Sequence, residues 1–362
     1  MGVLLSLLDH LAKKREERWH VVYGPEIAKP RPPTPYLVRE LAIAPGAVTL
    51  FGGAGFGGKT MALQSMLLSI AAGVLVWGHY DARQGAVIHI DFEQGPNLTF
   101  TRYQRLARQM GVDLNALGES FACTCLPEQA LDDSKESLEE LVWLFTGRTV
   151  AIVDAFRGAF PGAQENESGV RKYLDMLQRA SEATGCTVIV IAHSRKMGDD
   201  KDVRSALRGS GALFDAAQTV YMLDGAKGKP TQVHNTKERV TGKLRETFGL
   251  RIVDTLSHDP GVTDPEWGLD VEHLDATEVA AAYESEEDET AINIARMSTL
   301  AERITSLLGE PKTLASLRAL LSGTSSTMIS GVLAQMCQDG NLVCDGKTNL
   351  AMYSLPRQPG DD

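Results

Sequence analysis

Gly53-Ala54-Gly55-Phe56-Gly57-Gly58-Lys59-Thr60 is the stretch whose reading decides the fold. An apolar, β-rich run at residues 47–51 precedes it, and a helical pattern from Met61 to residue 72 follows. A strand that delivers the chain into a glycine-rich turn lets backbone N–H groups converge on phosphate oxygens, and the next helix points its positive end at the same anion. Lys59 would reach the β- and γ-phosphates, and the Thr60 hydroxyl would hold Mg²⁺. The expected nucleotide-binding residues are therefore Gly53, Ala54, Gly55, Phe56, Gly57, Gly58, Lys59, Thr60 and Met61, with ATP and Mg²⁺ as the ligands.

Outward from this loop, strand and helix patterns alternate. Apolar β-rich runs occur at residues 47–51, 86–91, 149–154, 187–192 and 218–223, and helical patterns at 60–72, 97–110, 138–145 and 170–184 separate them. Near-continuous apolar strands alternating with helices predict an α/β domain whose mainly parallel sheet is covered on both faces. The phosphate loop then lies at the carboxyl end of a strand, where such sheets place ligands.

Composition sets limits on the rest. A chain of 362 residues with 43% apolar content predicts one large domain and a small one. It has no run of eighteen apolar residues, so no transmembrane helix and no membrane partner are expected. Residues 1–11 are apolar, but Lys13, Lys14 and Arg15 come after them, the wrong order for a signal peptide. Leu4, Leu7, Leu8 and Leu11 share one face of an amphipathic helix there. The five cysteines show neither zinc spacing nor a disulfide framework, and Cys123 and Cys125 read as same-face residues of one strand. A reducing cytoplasm fits. The net charge of −11 argues against a uniformly basic coat, yet allows a basic channel within an acidic body.

The organisation divides into four parts. Residues 1–35 hold the amphipathic helix and a proline-rich connector at 24–35, and residues 36–258 form the α/β core. The alternation fades afterwards: 259–275 read as loop, 276–291 look partly helical, and the acidic run 284–289 makes 259–296 an expected solvated linker. Residues 297–357 show three helical patterns (300–308, 314–321, 326–339), then two short strands at 341–345 and 351–355 around Asp345-Gly346-Lys347. Three helices and a hairpin predict a winged helix, with Ser325 or Ser326 capping its third helix.

Several polar residues end the core strands. Asp154 closes Val150-Ala151-Ile152-Val153-Asp154 and would orient the Mg²⁺-bound water, so Thr60 and Asp154 are the expected metal residues. Glu93, in Val87-Ile88-His89-Ile90-Asp91-Phe92-Glu93, is the expected activator of the attacking water; Asp91, on the same face, competes for that role. His193, at the tip of Val188-Ile189-Val190-Ile191-Ala192-His193, would sense the γ-phosphate. Arg195, Lys196, Lys201, Arg204 and Arg208 follow within a glycine-containing stretch, which predicts a basic loop gripping a nucleic-acid backbone.

Four segments taken together, GGAGFGGKT, VIHIDFEQ, VAIVDAFRG, and VIVIAHSRK followed by RGSGALFDAAQTVYML, resemble RecA-fold P-loop ATPases of the hexameric-helicase branch. The resemblance is nearest to RepA-like plasmid replication helicases and AAA-type ATPases of mobile elements, and it covers residues 36–253. It implies a RecA core with ATP bound between neighbouring subunits of a homo-oligomer, expected to be a hexamer. It assigns water activation to Glu93, Mg²⁺ to Asp154 and the sensor role to His193, and it makes 194–208 a single-stranded-DNA loop. Lys237 and Arg239 resemble the family's basic fingers, which reach the next subunit's nucleotide. The catalytic set is thus Lys59, Glu93, Asp154, His193, Lys237 and Arg239. Phe56 and Ala155 depart from the family pattern, in which a small or aliphatic residue and a proline or serine are usual.

The function expected from these readings is an ATP-hydrolysing oligomeric DNA motor, a helicase or helicase loader. Its winged helix would engage duplex DNA or a protein partner. The alternatives are an ATP-switched DNA-binding regulator or assembly ATPase without unwinding activity, and, less well supported, a small-molecule kinase sharing the phosphate loop.

Overall fold

In the computed structural model, residue parity along the core strands sorts side chains onto two opposite faces. The structure describes residues 14, 18–55, 57–163, 169–193, 211–225, 229–257, 264, 266–321, 326–345 and 352–356. Six strands are parallel: β1 (Thr49–Gly53), β2 (Val87–Asp91), β3 (Phe121–Cys125), β4 (Val150–Asp154), β5 (Thr187–His193) and β6 (Thr219–Asp224). Phe51, Val87, Ile152, Ile189 and Ile191 face one apolar layer. Leu50, Ile88, Val153, Val188 and Val190 face the other. This is the two-sided burial that continuous apolar runs require.

Helices α1 (Lys59–Ala72) and α2 (Pro96–Met110) cover the first face. Helices α3 (Lys135–Phe145), α4 (Val170–Thr184) and α5 (Gly211–Ala216) cover the second. Helix α1 is buried nearly all round, as its mostly apolar and small residues allow.

The sheet continues beyond β6 with three antiparallel strands, β7 (Thr231–Glu238), β8 (Phe248–Thr255) and β9 (Gly268–Leu274). The nine-stranded order is β3-β2-β4-β5-β1-β6-β7-β8-β9. Here the structure corrects the sequence reading, which took 259–275 as loop. Strand β9 pairs with β8 along its whole length, from Gly268 opposite Thr255 to Leu274 opposite Gly249. Its signal is a short period-2 alternation: Leu269 and Val271 are buried, while Glu272 pairs outward with Arg251.

The partly helical reading of 276–291 extends into one helix: α6 (Ala276–Leu307) runs unbroken for 32 residues and carries the 284–289 run, where a solvated linker was expected. A capping box starts it. Asp275 accepts from the Thr277 and Glu278 backbone N–H groups, and Glu278 accepts from the Asp275 N–H. The Ala- and Glu-rich sequence that follows propagates helix well.

The end of α6 packs with α7 (Leu314–Leu320) and α8 (Ser326–Gln338) around Leu300, Ile304, Leu317, Ile329, Val332 and Leu333. Strands β10 (Lys312–Thr313), β11 (Val343–Asp345) and β12 (Met352–Ser354) form a small antiparallel sheet in the order β10-β12-β11. This unit thus has its own apolar core, and the first helix expected there is the end of α6. Ser325, one of two expected caps, lies outside the described residues, and Ser326 is the first residue of α8. The amphipathic helix expected at residues 1–11 also lies outside them. The proline-rich connector forms one helical turn, Gly24–Ile27, followed by chain without regular structure.

Candidate nucleotide-binding site

The carboxyl ends of β2, β4, β5 and β1 are consecutive along one sheet edge. Glu93 follows β2, Asp154 ends β4, His193 ends β5, and Gly53 ends β1. Strand order alone brings together residues as far apart in sequence as Gly53 and His193, which are register partners.

The phosphate loop is held by close backbone approach. A Cβ on Gly53 (φ +154°) would lie 2.4 Å from the Leu223 carbonyl oxygen of β6. Gly58 caps the N-terminus of α1 with φ +76°, and a Cβ there would sit 2.4 Å from Ile252 Cδ1. Thr231 Oγ1 donates to the Gly57 carbonyl at 3.3 Å. Thus β7 and β8, which the parallel-strand reading left out, buttress the loop from behind. Phe56 lies outside the described residues.

Lys59 is buried at the start of α1. Its Nζ donates to the Gly53 carbonyl at 2.9 Å and the Ala54 carbonyl at 2.6 Å. Burial pushes its pKa down to about 8, against the opposing pull of Asp154 and Glu93. The ammonium therefore rests on the loop's own carbonyls, where a phosphate would compete for it. Thr60 and Met61 are half-buried beside it.

Asp154 is fully buried, and neither carboxylate oxygen has a hydrogen-bond partner. His89 Nε2 lies 3.6 Å from its Oδ2. An orphaned carboxylate beside a helix N-terminus suits a site completed by a metal-bound water. Among the described residues, no group of three His, Cys, Asp or Glu side chains is placed to hold a metal. Mg²⁺ fits such a site: it keeps several waters and takes substrate phosphate oxygens, so the Thr60 hydroxyl and Asp154 are the residues that would hold it.

Asp91 and Glu93 have different surroundings. Asp91 is buried and accepts from the Glu93 N–H at 2.9 Å, the Gln94 N–H at 2.8 Å and Thr99 Oγ1 at 2.6 Å. Its carboxylate is occupied in shaping the turn after β2. Glu93 is exposed, and His193 Nε2 lies 2.9 Å from its Oε1 and 3.1 Å from its Oε2. Of the two acids, only Glu93 faces the open side of the edge.

The expected finger residues separate. Lys237 Nζ donates to the Phe214 carbonyl at 2.7 Å and the Asp215 carbonyl at 2.8 Å, and it lies over the Phe214 ring. Burial, then Arg239, pushes its pKa down to about 8. Within the single chain Lys237 clamps α5, where the resemblance had it reach a neighbouring subunit's nucleotide. A register shift places Lys237 opposite Val220 and Asn235 opposite Tyr221, so Thr236 is the extra residue and the alternation of side chains breaks just before Lys237. Arg239 is exposed, with its backbone N–H bonded to the Gln218 carbonyl at 3.1 Å. Arg195, Lys196, Lys201, Arg204 and Arg208 all lie outside the described residues.

Sequence reasoning missed His89, Tyr103 and Cys123, which cluster beneath Asp154. The available signal was parity, since His89 and Asp91 lie on one face of β2. No helix among the described residues is long and apolar enough to cross a membrane.

A family described as AAA domain matches residues 12–199, more than half of the chain. No curated protein sequence matches it. Among solved structures, the RadB recombinase aligns over 63% of this chain and 91% of its own, at 16% identity and a TM-score of 0.43. Given the phosphate loop, the order of the strands that carry it and the family match, the chain belongs to the AAA domain family, with its phosphate loop on a mainly parallel α/β core.

Proposed function

We propose that this chain is an ATP-hydrolysing, oligomeric DNA motor. The observation that carries the reading is the Glu93–His193 contact on the phosphate-loop edge, because β5 leads from His193 directly into the basic stretch of residues 195–208. Lys59 holds the β- and γ-phosphates. Glu93 orients a water and accepts its proton as the γ-phosphoryl bond breaks. When bound, Mg²⁺ neutralises charge on the phosphates, with Thr60 and Asp154 around it. Arg239, exposed beyond β7, supplies positive charge to a neighbouring subunit's nucleotide, which requires a ring, six-membered by the resemblance. Arg195, Lys196, Lys201, Arg204 and Arg208 grip single-stranded DNA.

The unit built on α7 and α8 serves as a winged-helix recruitment domain. Helix α8 carries no Lys or Arg, which favours a protein partner over duplex DNA. A second reading, an ATP-switched DNA-binding protein that does not unwind, draws on the same Glu93–His193 contact: a base engaged by the sensor suits slow basal turnover. The test is the ATPase rate with and without single-stranded DNA, beside the mass of the nucleotide-bound assembly and strand separation on a forked duplex. A motor shows DNA-stimulated turnover and unwinding; a switch shows ATP-dependent DNA binding alone. DNA-indifferent turnover by a monomer would overturn both.

A further inference from the structure

We infer that His89 is a positioning residue for the Asp154 carboxylate, with Tyr103 fixing its tautomer; this rests on the proposed role of Asp154 beside the metal. His89 is buried at the centre of β2, opposite Ile152 of β4 and Cys123 of β3. Its parity directs it to the face that also carries Asp154, two residues beyond Ile152. Nε2 lies 3.6 Å from Asp154 Oδ2, and Nδ1 lies 3.1 Å from the Tyr103 hydroxyl. Cys123 Sγ closes the ring's flank at 3.9 Å from Nδ1.

The protons in this cluster follow from its chemistry. Burial holds the Tyr103 phenol far above its ordinary pKa, so it stays protonated. If Tyr103 donates to Nδ1, Nε2 carries the ring proton and presents an N–H to Asp154. The opposite tautomer would aim a lone pair at a carboxylate with no other hydrogen-bond partner. The 3.6 Å separation is longer than a hydrogen bond, so the carboxylate must turn towards Nε2 when the metal-bound water is in place. His89 then holds one oxygen back and leaves the other for the metal-bound water. Outer groups of this kind orient ligands and typically change metal affinity 10- to 100-fold.

The test uses the full chain, with Mn²⁺ as the probe. Mn²⁺ binding to the ADP-bound protein is followed by electron paramagnetic resonance, and ADP binding in EDTA is measured separately. His89→Leu and Tyr103→Phe should weaken Mn²⁺ binding about 10-fold and leave metal-free ADP affinity unchanged. His89→Gln, whose amide N–H reaches the position of Nε2, should restore most of the Mn²⁺ affinity. Asp154→Asn is the control. If Asp154→Asn weakens Mn²⁺ while both folded His89→Leu and Tyr103→Phe bind it natively, the positioning role is wrong and the Asp154 reading survives. Native Mn²⁺ binding by Asp154→Asn would remove the Asp154 reading itself. Should His89→Leu fail to fold, Tyr103→Phe decides.

Discussion

His193 Nε2 lies 2.9 Å from Glu93 Oε1, and the contact joins the tips of β5 and β2 across the end of β4, where Asp154 sits. The proposed base and the proposed sensor are therefore in contact before any nucleotide arrives. Glu93→Gln should keep nucleotide binding while turnover falls on the order of 10²–10⁴-fold. His193→Ala should leave basal turnover within a few-fold and abolish its stimulation by single-stranded DNA. Full stimulation in His193→Ala would remove His193 from the coupling.

Lys59 gives a pH signature. Its pKa in the nucleotide-free protein is lowered to about 8. Bound phosphates favour the charged form and so raise it. Between the two values, binding must take up a proton, and affinity declines as pH rises through about 8. Below that pH the ammonium is already charged, and Lys59 contributes no pH dependence. Calorimetry at pH 9 in two buffers of different ionisation enthalpy should show proton uptake on nucleotide binding. Lys237, which also titrates near 8, should not matter, so Lys237→Met should retain the uptake. Lys59→Ala should bind no nucleotide.

The split between Lys237 and Arg239 separates trans from cis effects. Arg239→Ala should bind nucleotide normally yet lose on the order of 10³-fold in turnover, the range of a donated arginine. Mixing Arg239→Ala with Lys59→Ala subunits should restore part of the activity, because the active seam then pairs an intact phosphate loop with an intact arginine. Lys237→Met should act within its own subunit. It loosens α5, which follows the basic stretch, so the affinity for single-stranded DNA should fall. A mixing experiment without recovery, in subunits shown to co-assemble, argues against the shared site.

Strands β2, β4, β5 and β6 were legible because burial on both faces leaves a trace, a mostly apolar run ending in an acid or a histidine, whereas the half-buried edge strand β3 was not among the runs read. Asp154 and His193 stand out for that reason. Strands β7 and β8 show weaker alternation, and β9 is a short Gly-Leu-Asp-Val-Glu-His-Leu segment after a loop-like stretch, so antiparallel pairing was hidden until the register was known. The helix at 276–291 was legible only in part, because its acidic run also fits a solvated linker, whereas the Asp275–Glu278 capping box sets the helix going ahead of it. Lys237 could not be assigned from sequence, because a one-residue bulge at Thr236 decides which way it points. His89 was overlooked beside two acids, although its contact with Asp154 spans two strands and is invisible in sequence spacing.

Gly53 ties stability to function. A methyl group there meets the Leu223 carbonyl oxygen at 2.4 Å, and that oxygen belongs to the strand paired with β1, so it cannot step aside as a flexible side chain would. Gly53→Ala must push β6 away from β1 or tilt the loop. Overpacking of this kind costs about 1–3 kcal/mol. Gly55, two residues on, has open space where a Cβ would go, so Gly55→Ala is the matched control. Urea unfolding should show a lower midpoint for Gly53→Ala and a native one for Gly55→Ala. Since β6 continues through Gly225 to β7, whose Thr231 hydroxyl holds the Gly57 carbonyl, Gly53→Ala should weaken nucleotide binding even where the protein is still fully folded. A Gly53→Ala protein with native midpoint and native nucleotide affinity would show that the close approach of Gly53 to β6 is dispensable, and the buttressing role of the antiparallel strands would go with it.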